Sequence, residues 1–274
     1  MGHASIIART AAPQAGARPE VQAAIARAAQ ATGVDFNYLL AQARLESSLD
    51  PGARAGTSSA AGLYQFTRGT WLQTLEKHGA AHGAGWADAA IEQGRVSDPT
   101  LRQQVLALRH DPDLSARMAA ELARDNRAAL LPVLGREPDA AELYLAHFLG
   151  AGGAGKFLTA LAADPALSAA TLLPEAAAAN RAIFYDGGQA RSLGGVMGLL
   201  RGKVDRAMDQ PVEALPRSTA ALVAERQPLA APAAPTGQPA PFSATLASTF
   251  ALGQGGDAPA HVRAAYGKLR AFGL

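Results

Sequence analysis

The stretch Asp35-Phe36-Asn37-Tyr38-Leu39-Leu40-Ala41-Gln42-Ala43-Arg44-Leu45-Glu46-Ser47-Ser48-Leu49, closed by Asp50-Pro51, decides the reading of this chain. Asp35 is a good N-cap, and the residues after it predict a helix from Phe36 to about Leu49. The same grammar repeats on either side. Pro19-Glu20 opens a helix with Val21, Ile25, Ala28 and Ala29 on one stripe, ended by Gly33. Residues 50–62 are turn-forming, and a third helix is expected from Tyr64 towards His78, before a glycine-rich break at Gly79, Gly83 and Gly85. Asp98-Pro99 and Asp111-Pro112 each supply a cap followed by proline at the first helical position. Pro138 opens a helix carrying Leu143, Tyr144, His147 and Phe148, which Gly150 should stop. Further helices are expected near 154–163, 173–184 and 191–208. No run of alternating β-branched residues predicts a strand. The fold class is all-α.

Composition agrees. Of 274 residues, 49% are apolar, enough for a sizeable core, and alanine is abundant, which favours helix over sheet. Aromatics are only 5%, so each one in a motif weighs more. A formal net charge of +2 excludes a strongly basic nucleic-acid binder, although a mildly basic surface suits an anionic polymer. With no cysteine, disulfides and thiolate metal sites are impossible. No apolar run is long enough for a transmembrane helix. Met1-Gly2-His3-Ala4-Ser5-Ile6-Ile7 lacks the apolar core of a secretory signal.

Four segments are expected. Residues 1–17 read as a flexible N-terminus and 18–208 as a helical domain. Residues 209–258 have the Pro/Ala-rich composition of a linker. In 259–274, Val262, Tyr266, Leu269 and Phe272 share one face of a short C-terminal amphipathic helix. That helix suits either docking on the body or binding a partner.

Three segments carry chemistry. Glu46 lies seven residues after Leu39 and three after Ala43, on a face bordering the buried stripe. Apolar surroundings disfavour a carboxylate, which is how a general acid is kept protonated near neutral pH. Next comes Ala61-Gly62-Leu63-Tyr64-Gln65-Phe66. Gly62 permits a tight turn, Gln65 offers a donor and an acceptor to a sugar, and Tyr64 and Phe66 offer apolar faces to sugar rings. Far downstream, Glu142-Leu143-Tyr144-Leu145-Ala146-His147-Phe148-Leu149-Gly150 places Tyr144 and His147 on one helix face, from which either can reach a glutamate across a cleft.

In order and spacing these segments resemble the soluble lytic transglycosylase family, whose fold is goose-lysozyme-like. The family's Glu-Ser, Gly-Leu-Met-Gln and Ala-Tyr-Asn motifs correspond to Glu46-Ser47, to Gly62-Leu63-Tyr64-Gln65, and to an altered form around Tyr144. Tyr64 replaces the usual Met and Leu145 the usual Asn, leaving His147, one turn on, as a candidate for that role. The resemblance covers about 20–150. A further stretch to about 205, including Asn180-Arg181-Ala182-Ile183-Phe184-Tyr185, resembles a tail of phage-type members and adds Tyr185 as a candidate substrate contact.

The resemblance implies a peptidoglycan lyase that needs no cofactor. Its single glutamic acid, here Glu46, protonates the leaving glycosidic oxygen and then serves as base while the muramic acid C6 hydroxyl closes on C1. The product is 1,6-anhydro-N-acetylmuramic acid. Tyr144 would hold Glu46, Ser47 would steady the same region, and Gln65 would contact substrate. The implied partners are peptidoglycan glycan strands, with a secretion, flagellar or phage apparatus left open through the C-terminal tail. The site of action would be the periplasm or cell wall. A lysozyme-type hydrolase would need a second carboxylate, for which Asp50 and Glu121 are the candidates, and a non-catalytic wall-binding module would need none. Two other signals are set aside. Gly150-Ala151-Gly152-Gly153-Ala154-Gly155-Lys156-Phe157 mimics a phosphate-binding loop but lacks its Ser/Thr and preceding strand. His78 and His82 flank Gly79 and lack the glutamate of a zinc motif.

Overall fold

The computed structural model describes residues 17–56 and 58–212. The expected linker beyond Val212, the C-terminal helix at 259–274 and residues 1–16 lie outside the described residues.

The described chain is helical, as the sequence predicts. Helices α1 (Ala17–Thr32), α2 (Phe36–Ser47), α3 (Arg68–His78) and the short α4 (Gly85–Asp88) come first. Then follow α5 (Pro99–Ala107), the long α6 (Pro112–Leu134) and α7 (Ala140–Ala163). Short helices α8 (Ala169–Leu172), α9 (Pro174–Ala179) and α10 (Arg181–Phe184) lead to α11 (Leu193–Met208). The expected caps are in place: Asp35, Asp98 and Asp111 accept from the backbone N–H of Tyr38, Leu101 and Leu114 at 2.7–2.8 Å.

α6 is the axis of the domain, packed against α1, α3 and α7, while α11 lies against both α7 and α2. Two apolar cores result. One unites α1, α2, α3 and the first half of α6 around Ile25, Leu39, Trp71 and Met118. The other unites the end of α6 with α7, α10 and α11 around Leu145, Phe157, Phe184 and Leu200. Tyr144 packs against both, so it stands at their seam.

Several boundaries differ from expectation for local reasons. α2 ends at Ser47 because Ser48 and Leu49 turn left-handed, with φ of 55° and 67°. α3 begins at Arg68 rather than Tyr64. The segment before it is a turn in which Gly62 and Gln65 have positive φ, and Thr67 caps the helix by accepting from Thr70 N at 3.2 Å. The single helix expected over 173–184 is broken at Asn180 (φ −131°, ψ 50°). A strand pair that the sequence did not predict, β1 (Tyr185–Asp186) with β2 (Gln189–Ala190), turns through Gly187-Gly188, both at positive φ. Gly-Gly is a good two-residue hairpin turn, but two-residue strands are too short to show alternation. The stop expected at Gly150 is a kink: there φ is 74° and ψ 157°, and helix resumes beyond it. Among the described residues no helix is long and apolar enough to cross a membrane.

Candidate active site

Glu46 occupies the last turn of α2, with its side chain 19% exposed. Across from it stand two residues of α7. His147 brings Nε2 to 3.4 Å from Glu46 Oε1, and the Tyr144 hydroxyl is close enough to the Glu46 carboxyl that, after burial, the charge and hydrogen bonding there raise the tyrosine pKa. Tyr144 and His147 are one helical turn apart, with stacked rings 6.1 Å between centroids and 27° between planes. The structure thus brings these three sequence-predicted residues together.

The Tyr144 hydroxyl is held well above the ordinary tyrosine range, by burial first, then by the charge of Glu46 and the bond to it. It keeps its proton and acts as a donor to the carboxylate. His147 Nδ1 is buried without a hydrogen-bond partner. A proton there would point at nothing, so the favoured tautomer carries it on Nε2, facing Glu46.

Sequence reasoning missed Tyr38. This buried α2 residue is raised in pKa by burial and then by the charge of Glu46, and it also bears on Tyr144. Its signal was available, since Tyr38 and Glu46 are eight apart, a little over two helical turns.

Ser47 holds the site together rather than offering its hydroxyl to solvent. Its Oγ donates to Leu63 O at 2.7 Å, with Ala43 O a longer 3.2 Å away. That bond pins the loop after α2 to the residue beside Glu46. Gly62 makes the loop's tightest approach: at φ +81°, a Cβ on it would lie 2.0 Å from the Arg109 carbonyl oxygen. Gly62 is thus a backbone device with no face for a ligand. Gln65 (φ 47°) turns its amide inward, donating from Nε2 to Gly62 O at 2.9 Å and to Ala53 O at 3.4 Å. Its Oε1 has no partner among the described residues and remains an acceptor.

Tyr64 and Phe66 correct the expectation that they stack on sugars. Both are fully buried. Tyr64 donates its hydroxyl to Leu39 O at 3.2 Å, clamping the loop on α2. Phe66 packs edge-on to Trp71, 5.2 Å between centroids. Tyr185 also lacks a described link to Glu46. It packs on the second core, with the Arg181 guanidinium 4.7 Å over its ring.

The other carboxylates considered are committed elsewhere. Asp50 Oδ1 accepts from Gly52 N at 2.7 Å, an Asx-type turn. Glu121 is buried and paired with His82 Nε2 at 2.8 Å and Arg124 Nη1 at 2.9 Å, with His78 Nδ1 at 3.7 Å. Those pairings also account for the two histidines. Among the described residues no group of three or more His, Asp or Glu side chains is arranged to hold a metal ion. The glycine-rich run 150–157 is helical apart from Gly150, and its Phe157 is core, so it forms no phosphate cradle. No family model matches the chain.

Proposed function

We propose that this protein is a peptidoglycan lytic transglycosylase with a lysozyme-like fold, acting at the cell wall through Glu46 as sole acid and base. One observation carries the reading. Glu46 is a partly exposed carboxyl faced by His147 and by the hydroxyl of Tyr144, the residue that packs against both cores. Asp50 and Glu121, the two candidate second carboxylates, are engaged in other contacts. A hydrolase needs a second carboxylate to activate water or to form a covalent intermediate. A lyase needs only one group, working twice.

In the first step protonated Glu46 gives its proton to the oxygen linking N-acetylmuramic acid to N-acetylglucosamine, and the C1–O bond breaks. The resulting carboxylate is steadied by the Tyr144 donor and the Nε2–H of His147. In the second step that carboxylate takes the proton of the muramic C6 hydroxyl as its oxygen bonds C1. Glu46 is again protonated, and no water has been consumed. Gln65 Oε1 offers an acceptor to a sugar hydroxyl or acetamido N–H.

Replacing Glu46 with Gln is the test. General acid–base catalysis is worth about 10²–10⁴-fold. Glu46→Gln should lose at least a hundredfold in glycan release, while the protein still pellets with insoluble peptidoglycan. Retained activity would remove Glu46 from the mechanism. A wild-type protein that binds the wall but releases nothing would favour a binding module instead.

A further inference from the structure

From Pro51 to Trp71 the chain has no acidic residue, yet it carries Arg54 and Arg68. The loop folds these arginines together. Arg54 bridges to Ala61, Ala61 bridges to Phe66, and Arg68 donates its backbone N–H to Ser59 Oγ at 3.2 Å. A third arginine, Arg109, enters from the turn before α6. It is buried, and its bonds run to the carbonyls of Ser59 (2.7 Å), Phe66 (3.1 Å) and Leu106 (3.0 Å).

Among the described residues no carboxylate pairs with this cluster. Arg109 bonds only to neutral carbonyls, and neither Arg54 nor Arg68 has an ion pair or side-chain hydrogen bond among the described residues. Arg109 feels the other two: burial first, then the charges of Arg54 and Arg68, lower its pKa. Like charges gathered without counter-ions destabilise the fold, and an anion bound among them relieves that repulsion.

The loop also joins this cluster to the site. At one point Ser47, beside Glu46, holds Leu63 O. One residue earlier, Gly62 rests on the Arg109 carbonyl. A muramic residue at Glu46 would bring its own anions, because its lactyl group carries a peptide with free carboxylates. Guanidinium groups bind carboxylates through paired N–H donors.

We propose that the Arg54/Arg68 face of this loop is a subsite for the carboxylates of the peptide stems on the glycan, with Arg109 as the positioning residue beneath it. The proposal rests on the peptidoglycan reading, and its consequence is selectivity for stem-bearing over naked glycan.

The test is binding by the full chain carrying Glu46→Gln, so that the polymer survives. Two probes are used: teichoic-acid-free sacculi, and the same strands stripped of stems by an amidase. An exposed charge pair contributes about threefold, so two arginines give a preference of about tenfold for stem-bearing polymer, weakening as salt is added. Adding Arg54→Ala and Arg68→Ala should bring that ratio towards one, and Arg68→Lys should restore part of it. A double variant that keeps the parent's ratio overturns the proposal. So does a preference that appears only when teichoic-acid phosphate is present. If the parent binds neither polymer, the peptidoglycan reading has failed and the subsite goes with it. If the parent binds both equally, the subsite alone has failed.

Discussion

Gly62→Ala puts a number on the loop that borders Glu46. At φ +81° an alanine adopts a left-handed backbone, which costs about 1–2 kcal/mol. Its Cβ would also lie 2.0 Å from the Arg109 carbonyl oxygen and 2.8 Å from the carbonyl carbon. Real Cβ atoms essentially never approach closer than 3.0 Å, so backbone must retreat by about 1 Å. Overpacking of that kind costs about 1–3 kcal/mol. The sum is about 2–5 kcal/mol. For a domain of this size, 1 kcal/mol shifts the melting temperature by about 2–4 °C, so a loss of about 4–20 °C is expected in calorimetry. Glycan release should fall as well, because the displaced turn includes Leu63, the acceptor for Ser47. Gly56→Ala is the control: a Cβ there meets nothing within 4 Å, and the expected change is within about 0.5 kcal/mol. A Gly62→Ala protein melting within 2 °C of wild type would refute the close approach, and with it the argument that this turn is fixed by packing.

Two further outcomes are expected. Tyr144→Phe removes the donor to Glu46 but keeps the ring between the two cores. Hydrogen bonds to charged groups are worth about 1.5–3 kcal/mol, so activity should drop about tenfold to a hundredfold, with the melting temperature little changed. At Asp125, burial pushes the carboxyl pKa up, but the hydrogen bonds and charges of Lys77 and His78 outweigh it and hold the pKa below its ordinary 3.8. Its contribution is therefore present above pH 3.8 and is lost as pH falls through the lower folded value. Denaturation against pH should show wild type and Asp125→Asn differing most above about pH 5 and converging in acid.

Much of this arrangement was legible because it is local. Asp35, Asp98-Pro99 and Asp111-Pro112 announce helix starts through side-chain and ring geometry that depends on nearby residues alone. Tyr144 and His147 share a face because a helix turns every 3.6 residues. Glu46 at the edge of the Leu39/Ala43 stripe had to border a core. What stayed hidden depends on distant packing. Nothing near Tyr64 says that its hydroxyl will meet Leu39 O, or that Phe66 will lie against Trp71 inside the core. Gln65 gives no sign of positive φ, because the turn is imposed by Gly62 against Arg109, forty-seven positions further on. Glu121 could be read as a candidate second carboxylate because nothing near it shows that His82 will reach it. Nor does anything near Ser47 announce that its Oγ will donate to Leu63 O.

The central claim is that one carboxylate does the work of two, and the released product records it. Purified peptidoglycan should be digested with the protein and the muropeptides weighed by mass spectrometry. The account predicts ends in 1,6-anhydro-N-acetylmuramic acid, lighter by one water than reducing ends. Reducing ends instead would mean that water is the nucleophile, that a second group activates it, and that the one-carboxylate mechanism is wrong.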